Sequence, residues 1–231
     1  MNIDQQHTLS SYDAQLKHLL QLILDMGGEV RKMALASKTA FRSREESRAA
    51  DAKAADKLIN ELDQKVEEEA TIVLALHNPL AIDLRFVTSV LKITGMLERM
   101  GDLAKNTVKR SVKMGAYAPE PIIQKLERMA DVVVEMLDEA LLAFKTNDTQ
   151  KAISVWRRDE EIDELYHEVL RMMQKEMANV PDQVVASTHV VFAAKNMERL
   201  ADYITNLAKT VYYISSGKRA DKTILKQENG A

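Results

Sequence analysis

One pattern occurs twice in this chain, and it limits the possible folds more than any other feature. Glu98-Arg-Met-Gly-Asp102-Leu-Ala-Lys-Asn106 returns one hundred positions later as Glu198-Arg-Leu-Ala-Asp202-Tyr-Ile-Thr-Asn206. At the same offset Thr88 matches Thr188, Val90 matches Val190 and Lys109 matches Lys209. A period that long, used twice, marks the duplication of a large supersecondary unit. The unit must be helical. The whole chain has 7 Gly and 4 Pro in 231 residues, and its apolar residues recur at helical rather than alternating spacing.

The breaks are few, and they define six long helices. Apolar residues run at helical spacing from about Leu9 to Arg44, interrupted by Gly27-Gly28, which marks either a close approach of another helix backbone or a weak point. A second helix opens near Ser43 or Ser47, carries Leu58, Leu62, Val66 and Ala70, and stops at His77-Asn78-Pro79. The third bears the first motif and ends near Gly115. Gly115-Ala-Tyr-Ala-Pro119-Glu-Pro121 is the joint between halves. A fourth helix reaches Phe144, and Thr146-Asn147-Asp148-Thr149 supplies a stop and a new N-cap. The fifth runs from there through Ile153, Trp156, Ile162 and Met172. Pro181-Asp182 opens the sixth, which bears the second motif and ends near Gly217. The expected fold is all-α: two pseudo-symmetric three-helix bundles over residues 1–116 and 117–217, with a loose polar tail over 218–231.

Composition removes several function classes. With no Cys there is no disulfide framework, thiolate nucleophile or cysteine metal site. A net charge of -3 and 5% aromatic residues argue against nucleic-acid binding. There is no signal peptide in Met1-Asn-Ile-Asp-Gln-Gln-His-Thr and no apolar run near the ~20 residues of a membrane span, so a cytoplasmic protein is expected. No phosphate-cradling Gly-rich loop and no nucleophile–base constellation is present, and nothing calls for an organic cofactor.

The motif itself carries the chemistry. Residues four apart on a helix drift by only ~40°, so Glu98, Asp102 and Asn106 form one stripe and Glu198, Asp202 and Asn206 another. Rows of carboxylate and amide oxygens suit hard divalent cations or iron. Asp56 and Asn60 on the second helix, and Asp159 and Asp163 on the fifth, could complete such a shell. The competing reading is a solvated acidic face on an amphipathic helix; Glu127-Arg-Met-Ala-Asp131 repeats the acid spacing without the Asn or a second copy. Arg99 and Arg199 read either as anion contacts or as i,i+3 ion pairs. The single Glu164-Leu-Tyr-His167 is half of what a di-iron carboxylate site needs. His189 stands where the first half has Ser89, so the two share no role.

The doubled Glu-Arg-x-x-Asp-x-x-x-Asn motif resembles the PhoU family. So do Leu24-Asp-Met-Gly-Gly28, Asn78-Pro-Leu-Ala-Ile-Asp83-Leu-Arg85 and Asp159-x-x-Ile-Asp163. The resemblance runs from about Asp13 to Ile214. It implies a non-enzymatic adaptor that links the phosphate ABC transporter, on its ATPase side, to the phosphate sensor histidine kinase. Such an adaptor holds the phosphate-starvation response off when phosphate is plentiful. It also implies a homodimer, peripheral to the inner membrane through its partners, with metal at the repeated motif. Arg85 joins Arg99 and Arg199 as a partner or anion contact. The second half reads Gln183-Val-Val185 where the first reads Asp83-Leu-Arg85, so the halves are not expected to act equally. The alternative expectation is a metal-dependent enzyme or a metal-storage protein.

Overall fold

The computed structural model describes residues 3–43, 45–115, 117–221 and 224. Seven α-helices are delimited among the described residues, in order: α1 Ile3–Ser43, α2 Glu46–His77, α3 Ala81–Lys113, α4 Glu120–Thr146, α5 Thr149–Arg157, α6 Asp159–Asn179 and α7 Val184–Ser216. No strand occurs among the described residues. The all-α expectation holds, as do the main breaks. Of the expected tail, residues 222–223 and 225–231 lie outside the described residues.

Each break has a local cause. Asn78 ends α2 in the left-handed conformation (φ 45°), where an Asn is tolerated, and Pro79 cannot continue the helix. Asn147 does the same for α4 (φ 52°). One residue on, the Asp148 side chain accepts hydrogen bonds from the amides of Gln150 at 3.0 Å and Lys151 at 3.1 Å, capping α5. Gly217 closes α7 at φ 69°, its amide bonding to the Tyr213 carbonyl at 2.9 Å.

The expected fifth helix is interrupted. At Arg158 the ladder shifts to three-residue spacing: the Arg158 amide bonds to Val155 and its carbonyl accepts from Glu161, each at 3.1 Å. The guanidinium there reaches Glu135 at 2.6 Å and Glu139 at 3.4 Å on α4. The break starts a new helix whose first turn carries Asp159, Glu160 and Glu161, where free N–H groups favour negative charge. A single 3-10 turn, Pro181–Gln183, precedes α7.

Helices α1–α3 pack together, and α4–α7 pack together. The two sets lie side by side and share one continuous core. Helix α3 runs antiparallel to α7: Arg85 near its start donates to the Ile214 carbonyl at 3.0 Å, and Arg110 near its end meets His189. Helix α1 runs antiparallel to α4, joined by Arg31–Asp138, Lys38–Asp131 and Arg42–Glu127 pairs at 2.6–2.7 Å. On α2 the buried series is Ala52, Ile59, Val66, Ala70 and Val73. Leu58, read from the sequence as part of that stripe, is 41% exposed.

Candidate functional site

Close approach of α2 to α3 builds the first acidic row. Gly101 lets this happen: a β-carbon there would stand 2.8 Å from Ile59 Cδ1. Asp56 and Asp102 then face each other across the helix pair, and the Lys105 ammonium bridges them, 2.7 Å from Asp56 and 2.6 Å from Asp102. Burial works to lower the Lys105 pKa, but the two carboxylates outweigh it and hold the ammonium charged. Burial raises the Glu98 pKa. The Arg99 charge opposes this, and the charges of Asp102, Asp63 and Asp56 add to it. Glu98 lines a groove of about 490 Å³ with Asn60, Asp63, Gln64 and Glu67. Sequence reasoning missed the last three. Their signal was Asp56, Asn60, Asp63 and Glu67 at helical spacing on one face of α2. Asn106 is exposed a turn further on.

The second row is chemically different. Thr205 stands at the position of Lys105, and its hydroxyl donates to Asp159 at 3.1 Å. A neutral donor therefore replaces an ammonium. Burial pushes the Asp159 carboxyl above its ordinary range. Thr205 partly opposes this, and the charges of Asp163 and Glu198 reinforce it. Asp202 is raised the same way, by burial and then by Glu198, Asp159 and Asp163. Lys195 pairs with Glu198 Oε1 at 2.6 Å, but Glu198 Oε2 is buried with no hydrogen-bond partner. A buried carboxylate oxygen without a partner is costly. Asp163 is exposed, and Asn206 turns instead toward a second groove beside Lys209.

Among the described residues, no group of three or more His, Asp or Glu is placed to hold a metal ion. Both stripes stand as rows rather than closed shells. The donors of the second row have the chemistry a hard cation takes, and a positive ion would relieve the repulsion among its acids and occupy the free Glu198 oxygen, but the side chains would have to draw together to enclose it.

The three arginines differ. Arg85 is engaged internally, bonded to the Ile214 carbonyl and packed beside Gly217. Two residues before it, Asp83 accepts from the Tyr12 hydroxyl at 3.0 Å. Burial, reinforced by Asp83, raises that phenol to about 12. The Asp83-Leu-Arg85 element thus ties α3 to α1 and α7, and Gln183-Val-Val185 has no such side chains. Arg99 lies 3.3 Å from Glu98 and 3.9 Å from Asp102, the local ion pairing its spacing allows. Arg199 is exposed.

At His189, Arg110 Nη1 lies 3.1 Å from Nδ1. Arginine can only donate, so Nδ1 accepts and the ring is neutral. Burial, then the charges of Arg110 and Lys113, lower its pKa below the ordinary 6.5. The folded state therefore resists a proton that the unfolded chain accepts. The stability this gives is complete above 6.5 and is lost as pH falls through the lowered value. Asp159 and Asp202, with raised values, act in the opposite sense: their contribution is present at low pH and lost as pH rises. The difference between wild type and His189→Gln isolates the histidine. In thermal melts followed by circular dichroism, the wild-type midpoint is expected to fall more steeply than the variant's as pH is lowered from neutrality. Parallel profiles would contradict this.

Comparison with known proteins gives a consistent result. The PhoU domain family model matches residues 23–111 and 126–211. The chain is 36% identical over 214 residues to a phosphate-specific transport system accessory protein PhoU homolog of Caulobacter vibrioides, covering 92% of this chain and 93% of that one. It is 34% identical over 212 residues to the protein of that name from Rhizobium meliloti, covering 91% and 90%. Among solved structures, PhoU from Pseudomonas aeruginosa superposes with a TM-score of 0.85 at 28% identity, covering 90% of this chain and 100% of that one. The phosphate transport system regulatory protein PhoU from Streptococcus pneumoniae gives 0.82 at 29%, covering 91% and 99%.

Proposed function

This chain belongs to the PhoU family, and from that premise we propose that it is a regulator acting by contact with the phosphate transport system. In this reading it links the transporter's ATPase side to the sensor histidine kinase and holds the phosphate-starvation response off while phosphate is abundant. It works in the cytoplasm as a homodimer, peripheral to the inner membrane through its partners, and it is not an enzyme. The observation that carries the proposal is the family match, which spans both halves of the chain. No helix among the described residues is long and apolar enough to cross a membrane, which agrees with a peripheral role.

Metal belongs to the same proposal. Glu198, Asp202, Asp159 and Asp163 would hold a divalent or iron cation, which would supply fixed positive charge there. In the first half Lys105 already pairs with Asp56 and Asp102, the counterparts of Asp159 and Asp202. The unpartnered Glu198 oxygen also supports a second reading, a metal-storage protein or metal-dependent enzyme. Stoichiometric metal together with a turnover abolished by chelation would favour that alternative.

The test replaces the two acids that the repeated motif contributes to the first row. Glu98→Ala with Asp102→Ala is expected to leave the fold intact and to raise a phosphate-starvation reporter in phosphate-rich medium toward the level of the deletion strain. Full repression in that strain would count against a role for the first row. A deletion strain with unaltered repression would remove the regulatory proposal altogether.

A further inference from the structure

We propose that the groove between α3, α7 and the segment following α7 binds a soluble small molecule carrying two or more phosphate charges. The groove has a volume of about 490 Å³. That is within the range of small-molecule sites, roughly 300–1,000 Å³, and generous for a single orthophosphate. Three cations line it: Lys92 on α3, Lys209 on α7 and Arg219 just beyond α7. No carboxylate is among the lining residues. Lys92 and Arg219 have no ion-pair partner among the described residues, and Lys209 stands over the Trp156 ring at 4.6 Å. Ser89 adds a hydroxyl to the same wall; Thr88 and Thr210 also line it, but their hydroxyls donate to the Leu84 and Asn206 carbonyls. Ammonium and guanidinium donors with no acid among the lining residues are the set that phosphate oxygens require. Three positive charges call for more than one negative charge in return.

The duplication provides an internal comparison. Because α3 and α7 are antiparallel copies, the corresponding place on the other side of the pair is lined by residues one hundred positions away. There Phe192 takes the position of Lys92, and His189 that of Ser89. Arg110 covers the Phe192 ring at 4.8 Å from its centroid and bonds to His189. On that side Arg110 is engaged by Phe192 and His189, whereas Lys92 and Arg219 line the open groove with no such partner among the described residues. The two surfaces descend from one repeat, so scaffold geometry alone does not account for the difference.

Trp156 is the single tryptophan of the chain, and Lys209 lies on its ring, so fluorescence reports on the site through that lysine. The experiment titrates purified full-length protein with inorganic pyrophosphate in metal-free buffer at constant ionic strength, with equilibrium dialysis of radiolabelled pyrophosphate as a second readout. Saturable binding is expected. Lys92→Ala and Arg219→Ala should each weaken it about tenfold, the scale of one charge-assisted contact. Lys92→Arg should retain it, and Lys109→Ala, on the opposite side, should not alter it. Dialysis without saturable binding would overturn the proposal, as would equal weakening by Lys109→Ala or the same response to sulfate. Displacement of pyrophosphate by phosphatidate vesicles at matched phosphate would reassign the site to a lipid headgroup. Only purified protein is used, so the result is independent of the regulatory reading.

Discussion

Phe144→Ala will lower the unfolding free energy by about 3–5 kcal/mol. Phe144 is 5% exposed in the last turn of α4. Its ring stacks on that of Phe86 in α3, with centroids 5.8 Å apart and planes 9° from parallel. Truncation removes a full aromatic burial, plus roughly 0.5–1.5 kcal/mol of ring pairing, at a seam between the two halves. For a chain of this size the thermal midpoint should drop by about 10 °C. The halves share one core, so helicity and Trp156 fluorescence should still report a single coincident transition. A loss below about 1 kcal/mol in urea denaturation would show that the stack contributes little. Separate transitions for the two probes would mean that the bundles unfold independently.

Gly27→Leu will also destabilise, by about 1–3 kcal/mol, whereas Gly28→Ala will stabilise by up to about 1 kcal/mol. The two glycines are adjacent, yet their surroundings differ. A β-carbon at Gly27 would lie 2.6 Å from both δ carbons of Leu141 on α4, while one at Gly28 would meet nothing within 4 Å. A single methyl at Gly27 could be met by a shift of the Leu141 tip, but a leucine could not. Gly27→Leu combined with Leu141→Ala should therefore recover part of the loss, with a coupling energy of about 0.5–3 kcal/mol. Denaturant titration of the two single variants and the double variant measures that coupling. Strict additivity would contradict the proposed contact.

These adjacent glycines show where reading the chain alone stops. Their presence in a helical stretch announced a close approach of another helix backbone or a weak point; at Gly27 it is instead the Leu141 side chain of α4 that closes in, and nothing approaches Gly28. The break at Arg158 was invisible in the same way. No Gly or Pro lies there, and the local pattern is continuously helical; the residues that Arg158 reaches, Glu135 and Glu139, belong to another helix. By contrast, Asn78-Pro79, Asn147-Asp148 and Gly217 act on their own backbone and were legible directly.

The candidate site divides along the same line. Alignment of Glu98 with Asp102, and of Glu198 with Asp202, follows from helical spacing and needs no tertiary information. That Lys105 reaches Asp56 while Thr205 reaches Asp159 depends on how α2 and α6 are set against their partners. Arg85 looked available for an anion or a partner until its bond to the Ile214 carbonyl placed it inside the fold.

By itself the sequence determined the repeat, the helices and the acid stripes, because each follows from residues within a few turns of one another. Only the tertiary structure decided which charges are neutralised, which groove is left open to solvent and which glycine is required. Those outcomes depend on distances between segments far apart in the chain, and packing sets those distances.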